Sequence, residues 1–357
     1  MSLQKLDIYN VRNINRQTIL PGSTLNFIFG KNGSGKSAFV EAIYLLGRGK
    51  SFRTSSISTA IRFNQPELIV TADLKQSSDQ LTHLGIKLDG RTVKIHRDQQ
   101  SSLKRSDLAY ALPLILIHPK SYELLDSGSQ FRREFIDWGA FHHEPDFLKT
   151  WKKYKKALAQ RNALLKLRSL NQLQVWTQEL ATYGTIVQQC RFNYIEQFKP
   201  VFFDILGCFL SQSNFNLTLF SGWEENYSLF DSIEKDLEKD VKDGFTHSGP
   251  HRGDLLVMLG DDLAKNVVSR GQLKVLVVCF KLAQIQLYFN HYGRFGCILI
   301  DDFAAELDLE NRGKILNFLE KLNCQVFITA TERSEFGDLS SFNHKMFHVE
   351  HGKFNEI

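Results

Sequence analysis

Cysteine is scarce in this chain and never paired. Cys190, Cys208, Cys279, Cys297 and Cys324 include no C-x-x-C spacing, which excludes a zinc ribbon or a dithiol redox centre of that pattern. An odd number in apolar surroundings such as Val277-Val278-Cys279-Phe280 reads as reduced core thiols of a cytoplasmic protein. No run of 18 apolar residues occurs, so no membrane span is expected. The first residues open a strand-like segment, Leu3 to Tyr9, without the apolar core and cleavage site of a secretory signal. His118, His142 and His143 have no metal-ligand partner at useful spacing, and no Ser-His-Asp arrangement rises above chance. Internal repeats and low-complexity tracts are absent. What remains is an ordinary globular composition, 43% hydrophobic and 23% charged over 357 residues, long enough for two domains. A net charge of +5 leans only weakly towards a polyanionic partner.

The informative feature is local. Gly30-Lys31-Asn32-Gly33-Ser34-Gly35-Lys36-Ser37 fills every fixed position of the phosphate-loop pattern G-x-x-x-x-G-K-[ST]. Thr24 to Phe29 upstream is a plausible buried strand, and Ala38 to Leu46 downstream repeats apolar residues at helical spacing. Glycines let the backbone wrap so that successive N–H groups point at phosphate oxygens, and the helix N-terminus adds partial positive charge. Lys36 is expected to reach the β- and γ-phosphates of ATP, and Ser37 to ligate Mg2+. Farther on, Cys297-Ile298-Leu299-Ile300-Asp301-Asp302 is an apolar strand ending in two carboxylates. At the end of a parallel strand beside the loop, Asp301 would hold Mg2+ through its water shell, and Asp302 would orient or deprotonate the attacking water. Val268-Ser269-Arg270-Gly271-Gln272 opens an apolar helix and, alone, reads as a cap.

The chain divides by character. Candidate strands at Leu3–Tyr9, Leu25–Phe29, Leu68–Leu74, Leu84–Leu88, Thr92–His96 and Leu112–Ile117 crowd the first third. The middle is helical by period, with Phe147, Trp151, Tyr154, Leu158 and Leu165 on one face and Arg161 interrupting the row. The last third alternates again: helix Gln272–Tyr288, strand Cys297–Ile300, helix Arg312–Leu322, strand Gln325–Ala330. The expected architecture is an α/β head with a doubly wound sheet and an added β-rich lobe, residues 1–119 and 244–357, interrupted by a helical insertion over residues 120–243.

The order phosphate loop, S-x-G-Q at a helix start, D-D strand and then Glu306-Leu307-Asp308 resembles an ABC-type ATPase head. In such heads the S-x-G-Q turn caps the γ-phosphate held by a second subunit. The resemblance therefore implies that Ser269 and Gly271, and less directly Gln272, bind a partner's ATP. Four further segments narrow it: Leu46 to Arg53 (LGRGKSFR), Phe131 to Gly139 (FRREFIDWG), His247 to Leu255 (HSGPHRGDL) and Ile300 to Asp308 (IDDFAAELD). With Asn10-Val11-Arg12-Asn13 they resemble the RecF family of bacterial DNA repair and replication proteins, nearly end to end. That likeness implies an ATP-dependent homodimer that binds DNA at gaps and single-strand/double-strand junctions. It further implies work with RecO and RecR, and through them RecA, in recombinational repair and SOS induction. Two departures from the general head, Asp302 where Glu is usual and no histidine in Val326 to Thr331, point to slow, DNA-stimulated hydrolysis.

Every charged residue from Phe147 to Gln178 is basic: Lys149, Lys152, Lys153, Lys155, Lys156, Arg161, Lys166 and Arg168. Such a stripe suits phosphates, or is simply a solvated face. Lys50, Arg53, Arg62, Arg91, Lys94 and Arg97 form a second candidate patch, while Glu224 to Asp243 is acidic and faces solvent or a protein. His251 and Arg252 either touch nucleotide, couple insertion to head, or belong to a structural corner at Gly249-Pro250. Two competing readings are the cytosolic ATPase subunit of an ABC transporter, disfavoured by the basic insertion, and an SMC-like chromosome clamp, which needs a coiled coil that the broken heptads after Leu170 do not supply.

Overall fold

Alternating burial of Leu6 and Ile8 makes the opening segment a strand, and a bulge at Leu3/Lys5 resets its phase. The computed structural model describes residues 1–75, 80–90, 92–101, 103–169, 171–211, 214–306, 308–322 and 324–357, with the side chains of Ser101, Ala305 and Glu306 left aside. Arg91, Leu170 and Leu307, used in the sequence reading, lie outside the described residues.

The first stretch runs β1 (Ser2–Val11), β2 (Ile14–Ile19), β3 (Leu25–Phe29), α1 (Lys36–Arg48), β4 (Leu68–Lys75), β5 (Leu81–Leu88), β6 (Val93–Arg97), β7 (Gln100–Ser101), α2 (Arg105–Ala111) and β8 (Leu114–Ile117). The middle runs α3 (Glu123–Asp126), α4 (Ser129–His143), α5 (Phe147–Lys166), α6 (Leu173–Phe209), β9 (Phe215–Phe220), α7 (Leu229–Lys235), α8 (Leu237–Asp243), β10 (Asp254–Leu259), β11 (Asp262–Leu263), α9 (Ala264–Val267) and α10 (Arg270–Tyr292). The chain then forms β12 (Cys297–Ile300), α11 (Phe303–Glu306), α12 (Leu309–Lys321), β13 (Gln325–Ala330), β14 (His344–Glu350) and β15 (Lys353–Glu356). Contacts divide it into one unit of Met1–Ser121 with Tyr288–Ile357 and another of Tyr122–Leu287.

In the first unit, β14, β3, β13, β12 and β8 pair in parallel, with β15 antiparallel at one edge. An antiparallel sheet, β2-β1-β4-β5-β6-β7, forms the β-rich lobe. Helix α1 touches strands of both sheets. That explains why Phe39, Val40, Ala42, Ile43, Leu45 and Leu46 are all buried: a helix covered on several sides is apolar on several sides. Strands β2, β14 and β15 were not among the expected elements.

The second unit holds the long helices, with α6 unbroken despite Pro200. Phe135, Phe198, Phe202 and Phe280 make its aromatic centre, with Phe202 and Phe280 centroids 4.4 Å apart. This unit extends to Leu287, not to residue 243 as expected. The reason is a pairing distant in sequence: β10 lies antiparallel to β9 from Asp254↔Phe220 to Leu259↔Phe215. Helix α10 is long and apolar enough in composition to cross a membrane, though its apolar run is interrupted by Lys274 and Lys281. It is instead a core helix, 72% buried over its most apolar window.

All five cysteines are free, and Cys208 is exposed, where a core thiol was expected. Arg161 also corrects the basic stripe. It is fully buried, pairs with the fully buried Asp240 at 2.6 Å, and donates to the hydroxyls of Thr177 (3.0 Å) and Thr246 (2.8 Å). A charge on the apolar side of α5 was an internal tie, not part of a surface. Truncation to alanine takes the guanidinium from buried Asp240, leaving Oδ2 without its donor while Oδ1 keeps His247, so Arg161→Ala should cost about 3–5 kcal/mol of stability in urea unfolding. A loss under about 1 kcal/mol would show that the pair is not holding α5 to α8.

Candidate nucleotide site

β3 ends at Phe29 and the chain turns through Gly30 to Gly35 into α1. Gly35 sits at φ 126°, where a side chain is strained, and a Cβ there would crowd Gly352 Cα at 3.2 Å, so glycine is strongly favoured. The loop is stitched from both sides: Asn13 Nδ2 donates to Gly33 O (2.9 Å), and Gly352 N donates to Ser34 O (2.7 Å). No side chain caps the start of α1, which leaves its first N–H groups for a ligand. Lys36 is buried and bridges the loop, donating to the carbonyls of Gly30 and Lys31. Burial pulls its ammonium below the ordinary lysine range, while Asp301, Asp302 and Glu335 pull it back up.

Parallel register brings the second half of the site alongside. β13 lies between β3 and β12, with Thr329 opposite Ile28 and Ile328 opposite Ile300. Asp301 therefore emerges at the level of the loop, its Oδ1 3.2 Å from Ser37 Oγ. Thr329 joins the two acids: its hydroxyl donates to Asp301 Oδ1 (2.7 Å) and accepts from Asp302 N (2.9 Å). This bond helps hold Asp302 in the left-handed region at φ 59°, rare for a residue with a Cβ. Burial pushes the Asp301 carboxyl above its usual range, and hydrogen bonds from Thr329 and Ser37 oppose the shift. The resulting cavity of about 290 Å³ is lined by Asn32, Gly33, Gly35, Lys36, Ser37, Asp301 and Asp302 from the expected set.

Arg12, Asn13, Arg53, Thr329 and Thr331 also line it. Of these, Arg12 and Asn13 had served only as family markers, and Arg53 had been assigned to a DNA patch. Thr329 carried one readable signal, a hydroxyl within a strand that is buried at every position.

Ser269, Gly271 and Gln272 lie in the other unit. Ser269 Oγ accepts from Gln272 N (3.2 Å) while Gln272 Oε1 accepts from Ser269 N (2.9 Å), a reciprocal box at the start of α10. Ser269 and Gly271 are exposed.

Comparison with known proteins agrees with this geometry. The family described as RecF/RecN/SMC N terminal domain matches residues 2–355. The DNA replication and repair protein RecF of Vibrio atlanticus (strain LGP32) is 38% identical over 359 residues, covering 100% of both chains. That of Vibrio campbellii (strain ATCC BAA-1116) is 40% identical over 357 residues, covering 99% of each. The chain belongs to the RecF family. A solved structure of the recombination mediator protein RecF-ATPrS in the RecFOR pathway has a TM-score of 0.87 at 25% identity, covering 99% of this chain and 98% of that one. An SMC head bound to the C-winged helix domain of ScpA shares the fold alone, with a TM-score of 0.59 at 14% identity over 100% of this chain and 98% of that one. The head is thus the α/β ABC/SMC type, and the transporter reading gives way to the RecF one.

In this RecF-family chain the α5 lysines Lys149, Lys152, Lys153, Lys155 and Lys156 are exposed, as is Lys50. Lys153 Nζ lies 4.8 Å from the Tyr183 ring centroid, and Lys155 Nζ 5.6 Å from that of Trp151. His251 is bonded within the second unit, to Tyr154 and Thr246. Its Nδ1 accepts from the Tyr154 hydroxyl (2.6 Å), which leaves Nε2–H to donate to Thr246 O (3.0 Å). Burial pushes it down to about 4, so it stays neutral near pH 7.

Because the Thr329 hydroxyl bond favours ionised Asp301, Thr329→Val should move the Asp301 titration to higher pH, read by carboxyl NMR. An unmoved midpoint would mean that the hydroxyl does not act on the acid.

Proposed function

We propose that this chain is an ATP-switched, DNA-binding homodimer of recombinational repair. The observation that carries the reading is the convergence of Lys36, Ser37 and Asp301 on one cavity at the ends of parallel strands. A RecF 25% identical to this chain was solved as RecF-ATPrS in the RecFOR pathway, which supports a nucleoside triphosphate as ligand. Under this reading Gly30 to Ser37 cradle the phosphates, with loop N–H groups and Lys36 on the β- and γ-phosphates. Ser37 and Asp301 supply hard oxygen donors 3.2 Å apart, which fits Mg2+. When bound, that ion neutralises charge on the β- and γ-phosphate oxygens. Asp302 orients or deprotonates the attacking water. One methylene shorter than the usual Glu, and without a neighbouring histidine, it suits a slow switch better than a motor.

Ser269, Gly271 and Gln272 would then meet the γ-phosphate held by a second subunit. The Ser269 hydroxyl accepts within its own cap and so keeps its hydrogen for an incoming anion. The exposed lysines Lys149, Lys152, Lys153 and Lys156, with Lys50, supply phosphate contacts for single-stranded or gapped DNA without reading bases. The RecFOR pathway named for that solved relative supports RecO and RecR as the protein partners of this chain and RecA as the downstream recipient, all in the cytoplasm.

Light scattering of the full chain tests the switch. ATP with gapped DNA should convert monomer to dimer mass, Lys36→Ala and Ser269→Arg should block the conversion, and turnover should stay below about 1 per second. Unchanged mass on adding ATP, or turnover of tens per second, contradicts the assignment. For DNA, reversing Lys152, Lys153 and Lys156 to Glu should lower affinity at least tenfold. It should also flatten the log–log salt dependence by about 0.7–0.9 per lost phosphate contact, while sparing ATP binding. Unaltered DNA affinity moves the interface off α5.

A further inference from the structure

Glu41 is a charged residue on the buried face of α1, with no solvent exposure. The four contacts to its carboxylate are of two kinds. Arg12 donates through Nε to Oε2 and through Nη2 to Oε1, both at 2.8 Å, a two-point bond that fixes the guanidinium plane. Arg12 Nη1 is also taken up, by Thr59 O. The Ser51 hydroxyl donates to Oε1 and holds the carboxylate itself. Arg53 is different. Its Nη1 stands 3.8 Å from Oε2, beyond hydrogen-bond length, and its side chain is 45% exposed. Arg53 lines the nucleotide cavity with Arg12, and its charge acts on Asp301.

A buried carboxylate is expensive to keep, and an apolar residue would pack a helix between two sheets more cheaply. Its presence is accounted for by what it holds. Arg12 is locked by three donated bonds across Glu41 and Thr59. Arg53 is attracted but not bonded, and lines the same cavity as Asp301. A polyphosphate entering that cavity offers Arg53 more negative charge than one carboxylate does, and it can offer the hydrogen-bond geometry that Glu41 does not.

We propose that Glu41 is a positioning residue of the nucleotide site: it locks Arg12 into the cavity wall and keeps Arg53 in the cavity it shares with Asp301 by charge alone, ready to transfer to the terminal phosphates. The inference rests on the ATP reading above. Three features of the geometry set its consequences. Glu41 acts through Arg53, so the two residues are energetically coupled. Arg53 lines the same cavity as Asp301, so the effect should fall on the third phosphate. Glu41 touches no ligand itself, so its removal does not abolish binding.

Calorimetric titration of the full chain with ATP and with ADP, each with Mg2+, tests this. Glu41→Gln should weaken ATP about tenfold and ADP less than threefold. The double variant Glu41→Gln/Arg53→Ala should lose less than the product of the two single losses. Equal weakening of ATP and ADP, fully multiplicative losses, or an unaltered ATP affinity each overturns the proposal. Should Glu41→Gln fail to fold by circular dichroism, Ser51→Ala removes the hydroxyl that donates to the carboxylate and accepts from the Arg53 and Thr54 amides. It should lower the ATP-to-ADP affinity ratio about threefold, and an unchanged ratio is then the contrary result. A wild-type chain that binds no ATP sinks the proposed function itself, whereas wild-type binding with an indifferent Glu41→Gln sinks this inference alone.

Discussion

Parallel pairing of β3, β13 and β12 governs what one end of the sheet can do. Parallel strands side by side finish at the same level, and each finishes with its C-terminal edge facing the same way. The three edges here deliver a glycine loop, a buried threonine and an aspartate, none more than a few residues from the strand that carries it. Once the register is set by the apolar faces of these strands, Ser37 and Asp301 have no freedom to lie apart. A slip of one residue in β12 would turn Ile300 outward and send the acid to the wrong face.

What could be read before the structure follows from range. The phosphate loop was legible because its strand, turn and helix are contiguous. The D-D strand was legible because four apolar residues and two acids stand together. The architecture of the head followed from their order. The right edge of the helical unit was not legible, because β9 and β10 find each other across more than thirty intervening residues. Arg161 was misread for a related reason: periodicity marked its face as apolar, but the partner that permits its burial, Asp240, is 79 residues away.

The cavity shows the same division. Lys36, Ser37, Asp301 and Asp302 could be named from local pattern. Arg53 could be named as basic but not placed, because its neighbour Glu41 is concealed in a helix whose pattern otherwise says core. Thr329 could not be weighed, since its importance lies in touching two acids from a neighbouring strand. Side chains that position others leave little trace in a motif, because their spacing is set by tertiary contact.

One arrangement has a bearing on how the molecule is made. β3, which launches the phosphate loop, is flanked by β13 and β14, and Asn26 reaches Val326 across 300 residues of sequence. The turn after β14 supplies Gly352, whose amide braces Ser34. A nascent chain emerging from the ribosome therefore displays its glycine loop long before the strands that shape it exist. During that interval the antiparallel lobe can form from neighbouring hairpins, but the ligand cradle cannot. Translation thus imposes an order in which nucleotide competence is the last property acquired, and a prematurely terminated product would carry the motif without the pocket.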